Sequence, residues 1–197
     1  MPRTPQQFEE IRNEKKRLIK DVALELFANQ GYATTSISQI AQKANISKGL
    51  MYNYYESKEN LLKSIVQSFM IEIADIMDPN HDDKIEDKEV IQFFDLIFDL
   101  LRLKRKQLKL FFQLSFQPEV MSLLNEINIF DKINEYTKMY AVYFSEKDTE
   151  NAQYIAMNFA NILKGFSMQY ALSSDVFSEK ELMQYKEYLK DIFVRHS

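Results

Sequence analysis

Apolar residues recur every three or four positions along most of the chain, the signature of helices that bury one face. Ile11, Leu18, Ile19, Val22, Ala23, Leu26 and Phe27 mark the first such stripe. Thr4, Pro5 and Gln7 form a helix start ahead of it, and Gly31 supplies a stop. Two short helices are predicted next. Ser36 opens one, with Gln39 as its capping-box partner and Ile37, Ile40, Ala41 and Ala44 facing inward. Asn45 and Ile46 make a turn, and Ser47 caps the second, "KGLMYNYY". Ser57 then caps a long helix, "KENLLKSIVQSFMIEIADIM", and Pro79 with "NHDDKIEDK" reads as a loop.

The helical pattern then continues to the end. The predicted segments are "KEVIQFFDLIFDLLRLKRK", "QLKLFFQLSF", "EVMSLLNEI" after Pro118, "FDKINEYTKMYAVYF", "DTENAQYIAMNFANILKGFSMQYAL" and "SEKELMQYKEYLKDIF". Ser178 and Glu181 form a further capping box. No repeat, low-complexity tract or alternating strand pattern interrupts this series, so the expected class is all-α.

Two short helices across a tight turn, propped by a longer one, read as a helix-turn-helix. Such a unit presses the N-terminal end of its second helix into the major groove of DNA. That geometry accounts for Gly49. A helix-interior glycine costs roughly 1 kcal/mol against alanine, and this chain has only three glycines. Removing the side chain at the point of closest approach to DNA is a reason to accept that cost. Lys48 and Lys58 bring charge, Tyr52 and Tyr54 bring phenolic donors, and Ser36 and Ser47 bring hydroxyls at helix starts. Asn53 stands where it reads a base or is simply solvated, and Arg3 lies in an arm that reaches a minor groove or contacts nothing. Taken singly, Lys48 and Tyr52 also suit a purely structural role; the constellation points to DNA.

The stretch "TTSISQIAQKANISKGLMYNYYESKENLL" resembles the DNA-binding head of the TetR family of transcriptional regulators. Ile40-Ala41, Ala44, Ile46-Ser47, Gly49, Met51-Tyr52, Tyr54-Tyr55, Lys58 and Leu61-Leu62 fall in register with the family's pattern. Asn45 replaces its turn glycine, Met51 a leucine and Tyr55 a phenylalanine. The likeness covers about residues 18 to 66. It implies an N-terminal three-helix bundle, residues 1–57, joined by a long helix to a helical effector-binding and dimerisation domain, residues 58–197. It also implies a dimeric repressor that binds a pseudo-palindromic operator on double-stranded DNA and is released by a small effector.

Charge supports a division of labour. Residues 1–66 carry 10 Lys/Arg against 7 Asp/Glu, whereas the remainder carries 15 against 22, within a net charge of −4. A basic head on an acidic body suggests different partners for each. On the body, Leu182, Tyr185, Leu189 and Ile192 on the last helix, with Ala156 and Ala160 on the one before, suit a homodimer seam; the alternative is packing within one subunit. Phe98, Phe112, Phe116, Tyr140 and Phe159 are the expected lining of a site for an apolar or aromatic effector, with Gln113, Asn158 and Asn161 as orienting groups. Core packing is the competing role for the rings, and solvent exposure for the polar three.

Cysteine is absent and histidine occurs only twice, as His81 in the loop and His196 at the terminus, so no metal, cofactor or nucleophile site is expected. An enzyme is therefore disfavoured. A helical structural or adaptor protein is the remaining alternative, but it has no use for Ser47, Lys48, Gly49, Tyr52 and Lys58 together. No apolar stretch resembles a signal peptide or membrane span, so the expected setting is soluble and cytoplasmic, without a membrane partner.

Overall fold

A computed structural model describes residues 4–173 and 177–195; Arg3 and His196 lie outside the described residues. Among these residues the chain is helical throughout. The helices are α1 (Pro5–Gln30), α2 (Ile37–Lys43), α3 (Lys48–Tyr54), α4 (Lys58–Met77), α5 (Asp87–Leu103), α6 (Arg105–Ser115), α7 (Pro118–Glu126), α8 (Ile129–Ser145), α9 (Ala152–Leu172) and α10 (Glu179–Lys190), with a π-helical turn at Asp191–Arg195.

The expected start signals operate. Thr4 and Gln7 exchange hydrogen bonds at 3.0 and 3.3 Å, Ser36 and Gln39 at 2.7 and 3.2 Å, and Ser178 and Glu181 at 2.8 and 3.3 Å. Each pair satisfies two backbone donors that a helix N-terminus leaves unpaired. Asn45 takes a left-handed φ of 53°, as the turn between α2 and α3 requires. Two boundaries differ from the sequence pattern: α9 begins at Ala152, four residues after Asp148, and the run 88–106 is broken. Within that run, α5 stops at Leu103 and α6 restarts at Arg105. Arg105 donates from Nε to the Tyr170 carbonyl at 3.0 Å and from Nη2 to the Ser173 carbonyl, so it satisfies the end of α9.

The chain divides into two compact units, residues 1–70 with 113–121, and residues 71–112 with 122–197. The division falls inside α4, α6 and α7, whereas the expected boundary at 57/58 coincides with the start of α4. The first unit has Ile19, Ala23, Phe27, Ile40, Met51, Leu61 and Leu62 at its core, all with no exposed surface. The second is built on rings. Phe159 of α9 stacks on Tyr140 of α8 at 4.6 Å and meets Phe93 of α5 and Phe193 of the π turn, each at 5.1 Å.

Much of the face expected to form a seam on α10 is already used inside the subunit. Leu182 and Leu189 are each 1% exposed and Ala156 is fully buried, all within one subunit. α10 packs on α5, where the Lys186 and Lys190 ammonium groups each reach Asp95 Oδ1 at 2.7 Å. Tyr185 lies against Phe166 at 4.6 Å, Ala160 is half-buried, and Ile192 remains on the surface. The apolar spacing on α10 records burial, but its partner is the subunit's own α5.

Candidate nucleic-acid interface

α2 and α3 present an open concavity of ≈ 400 Å³ lined by Ala33, Thr34, Thr35, Ser36, Ile37, Ser38, Lys48, Tyr52 and Lys58. Met51 fastens α3 to the core from the opposite face, with no exposed surface, and Tyr55 is buried with its hydroxyl 3.4 Å from the Lys16 carbonyl. This anchoring turns the rest of the short helix outward. Ser47, Lys48, Gly49, Tyr52 and Asn53 are exposed and Tyr54 is half-buried. A Cβ built on Gly49 meets nothing within 4 Å among the described residues. No packing among the described residues therefore calls for glycine there.

The serines have local work. Ser47 Oγ accepts from the Leu50 amide at 3.1 Å. Ser36 Oγ accepts from the Gln39 amide and donates to Gln39 Oε1 at 2.8 Å, so both its capacities are used within α2.

Lys58 departs from the sequence reading. Its ammonium donates to the carbonyls of Tyr32 at 2.7 Å, Ala33 at 3.1 Å and Thr35 at 3.0 Å, and sits 4.4 Å from the centroid of the Tyr32 ring. All three of its N–H donors are thus spent on the α1–α2 connection. Lys20 is also drawn in, donating to Ser68 Oγ, and burial lowers its pKa despite the nearby Asp21 carboxylate. Lys43 pairs with Glu25 at 2.9 Å. Lys48, by contrast, is exposed and makes no ion pair among the described residues.

Sequence reasoning missed Gln117. Its Nε2 donates to the Phe27 carbonyl at 2.8 Å, and its Oε1 accepts from the Tyr32 amide at 2.7 Å. One side-chain amide thereby closes the C-terminal end of α1, beside Gly31, whose φ of 95° turns the chain. Gln117→Leu should leave the Tyr32 amide unpaired and cost about 1–3 kcal/mol. Faster amide exchange at Tyr32 is the expected readout; unchanged protection would show that the clamp is idle.

The five rings expected around an effector are not gathered in one place. Tyr140 and Phe159 stack in the ring core, both essentially without exposed surface. Phe98 belongs to a second group, 5.6 Å from Phe166. Phe112 is half-buried, and Phe116 is 66% exposed just beyond the end of α6. Gln113, Asn158 and Asn161 are exposed and do not line the interior.

Residues 19–65, which contain this whole arrangement, match the family model of bacterial regulatory proteins of the tetR family. The chain is 28% identical over 168 residues to the biofilm operon negative transcriptional regulator IcaR of Staphylococcus epidermidis, covering 81% of this chain and 89% of that one. Its fold is similar to NalD of Pseudomonas aeruginosa, described as the secondary repressor of a multidrug efflux pump, with TM-score 0.68, 16% identity and coverage of 94% and 96%. It is likewise similar to the fatty acid degradation regulator FadR of Bacillus halodurans, with TM-score 0.66, 18% identity and coverage of 98% and 97%. No helix among the described residues is long and apolar enough to cross a membrane. The head thus matches the tetR family of bacterial regulatory proteins over residues 19–65, and the rest of the chain shares its helical fold with TetR-like regulators.

Proposed function

We propose that the protein is a repressor that binds a pseudo-palindromic operator as a homodimer and lets go when a small apolar or aromatic effector binds its second unit. The exposed α3 carries this reading: Lys48, Gly49, Tyr52 and Asn53 stand free on one short helix whose other face is locked by Met51. Lys48 supplies phosphate affinity, Tyr52 a phenolic donor or a ring against a thymine methyl, and Asn53 a base contact. Ser47 and Tyr54 border the same surface. IcaR, the negative regulator of a biofilm operon, supports repression as the mode.

A head of this size reads only a half-site, so two copies must engage successive major grooves, roughly 34–36 Å apart. α10 buries Leu182 and Leu189 but leaves Tyr188 exposed, with Ile192 just beyond its end, and the seam we infer joins this edge to the outer faces of α8 and α9. α8 leaves Phe130, Ile133 and Val142 exposed, and α9 leaves Tyr154, Met157 and Ile162. Gly165 shares the α9 face and has open space beyond it, which admits a closely packed helix. Tyr154→Glu combined with Met157→Glu should yield a folded monomer in sedimentation that no longer binds the operator tightly. A dimer retained in that variant would move the seam elsewhere.

Release requires an effector that prefers one conformation, a coupling of typically 1–3 kcal/mol, or ~5–150-fold in DNA affinity. α4 begins in the first unit and ends in the second, and is the continuous element suited to carry it. The test is binding to DNA flanking the protein's own gene, by fluorescence anisotropy, with and without small molecules that raise its melting temperature. Absence of specific DNA binding would refute the regulator's proposed target; stabilising ligands that leave DNA affinity unchanged would refute the release.

A further inference from the structure

We infer that the second unit holds a site for a small organic cation, with Asp78 as its charge partner and the rings of Tyr140 and Tyr136 beside it. The inference rests on the effector-released reading above and names the chemical class of the effector.

Asp78 directly follows α4 and is only 4% exposed. Its Oδ2 accepts from the Asp83 amide at 3.1 Å. Its Oδ1 is buried and has no hydrogen-bond partner among the described residues. A carboxylate oxygen hidden from water without a donor costs stability. If loop closure were the residue's only task, an asparagine would accept the same amide bond without burying a charge. The unspent oxygen therefore points to a partner that arrives from outside.

The surroundings favour positive charge. The Tyr140 hydroxyl donates to the Met77 carbonyl at 3.3 Å, which brings the end of that ring to the residue before Asp78. Glu89, 3% exposed, is a second buried acid. Its Oε2 accepts from the Glu86 amide at 3.0 Å. Glu89 lies one helical turn before Phe93, whose ring meets Tyr140 at 5.9 Å, so both acids border the same ring. Burial, followed by the fields of Glu89, Tyr143 and Asp78, drives the Tyr140 hydroxyl far above its ordinary pKa. Burial, and then Asp78, Asp83, Glu135 and Asp75, also raises that of the half-buried Tyr136. The nearby bases are engaged by other carboxylates: His81 meets Asp75 at 3.3 Å, Lys88 meets Glu86 at 2.6 Å and Lys147 meets Asp87 at 3.2 Å.

A bare metal ion is the poorer match. Hard divalent cations require six or more oxygen ligands, and no grouping of three metal-type side chains occurs among the described residues. A weakly hydrated ammonium or similar organic cation instead needs one counter-charge and an aromatic neighbour; Asp78 supplies the charge and the half-buried Tyr136 the accessible ring, while Tyr140, stacked on Phe159, backs the site from the core.

Titration calorimetry on the full-length protein, without DNA, tests the site. The probe is benzyltrimethylammonium, with phenylmethanesulfonate as the anion of similar shape. The ammonium should bind at least about tenfold more tightly than the sulfonate. Asp78→Asn, which keeps the acceptor for the Asp83 amide, should lose about tenfold in ammonium affinity, with its fold checked by circular dichroism. Glu89→Gln should weaken the same probe and serves if Asp78→Asn does not fold. Equal affinity for both ions, no ammonium binding in the millimolar range, or full affinity in the folded variants would overturn the proposal and leave Oδ1 to a structural water. A parallel anisotropy measurement with operator DNA separates the two readings. Ammonium binding through Asp78 without DNA release keeps the site and refutes effector control. Release by neutral compounds alone does the reverse.

Discussion

Gly49→Leu is expected to reduce operator affinity by about 100-fold or more, close to 3 kcal/mol, while leaving the free protein folded. Gly49→Ala is expected to raise its melting temperature. Both outcomes follow from one observation. Among the described residues a side-chain atom added at Gly49 meets nothing within 4 Å, and Gly31 is the glycine that takes a positive φ. Neither packing nor backbone conformation therefore requires glycine on α3. Alanine there should gain the roughly 1 kcal/mol of helix propensity that glycine forfeits. A residue that weakens its own helix with no internal return is explained by something outside the subunit. The phosphate backbone and groove floor, approached by the exposed face of α3, are that something in the proposed complex. The melting curve and the anisotropy titration must be read together. Loss of binding with an intact melt supports the close approach. Wild-type affinity in Gly49→Leu would mean that α3 meets DNA by another face, or not at all.

The head was legible because its determinants are local. Ser36 with Gln39, Asn45 in the turn, Ser47 before α3 and the inward Ile40, Ala41 and Met51 each act on neighbours a few positions away. Spacing records such relations directly. What spacing omits is the identity of a distant partner. The apolar face of α10 was visible, yet only the packing reveals α5 beneath it, fixed by Asp95 between Lys186 and Lys190. Phe116 continues an aromatic run, but α6 ends at Ser115, so the periodicity that buries its predecessors no longer governs it. Gln117 and Asp78 carried no sequence signal. A glutamine that clamps a helix 90 residues away looks like any surface glutamine. An aspartate after a helix looks like a loop residue until its unpaired oxygen is found inside.

Lys58→Ala and Lys48→Ala should separate two uses of positive charge that the sequence made look alike. Lys48 is exposed, so its loss should leave the melting temperature nearly unchanged. It should reduce the slope of log affinity against log salt by about one, as expected for one phosphate contact. Lys58 is committed to the carbonyls of Tyr32, Ala33 and Thr35, with the Tyr32 ring against it. Hydrogen bonds from a charged donor contribute about 1.5–3 kcal/mol each. Bonds to one ammonium are not additive, and this one is partly solvated, so a total of about 2–4 kcal/mol is expected. Lys58→Ala should therefore melt early, and the α1–α2 connection should exchange its amides faster. The position of α2 is set by that connection, so DNA affinity should fall at every salt concentration with little change in slope. Lys58→Arg should not rescue it, because a flat guanidinium fork cannot point three donors at carbonyls arranged around a single nitrogen. If Lys58→Ala instead keeps the wild-type melt and flattens the salt dependence by one, the ammonium must leave its carbonyls for phosphate when DNA arrives. The cradle would then be a resting place for the charge, not a fastening of the fold.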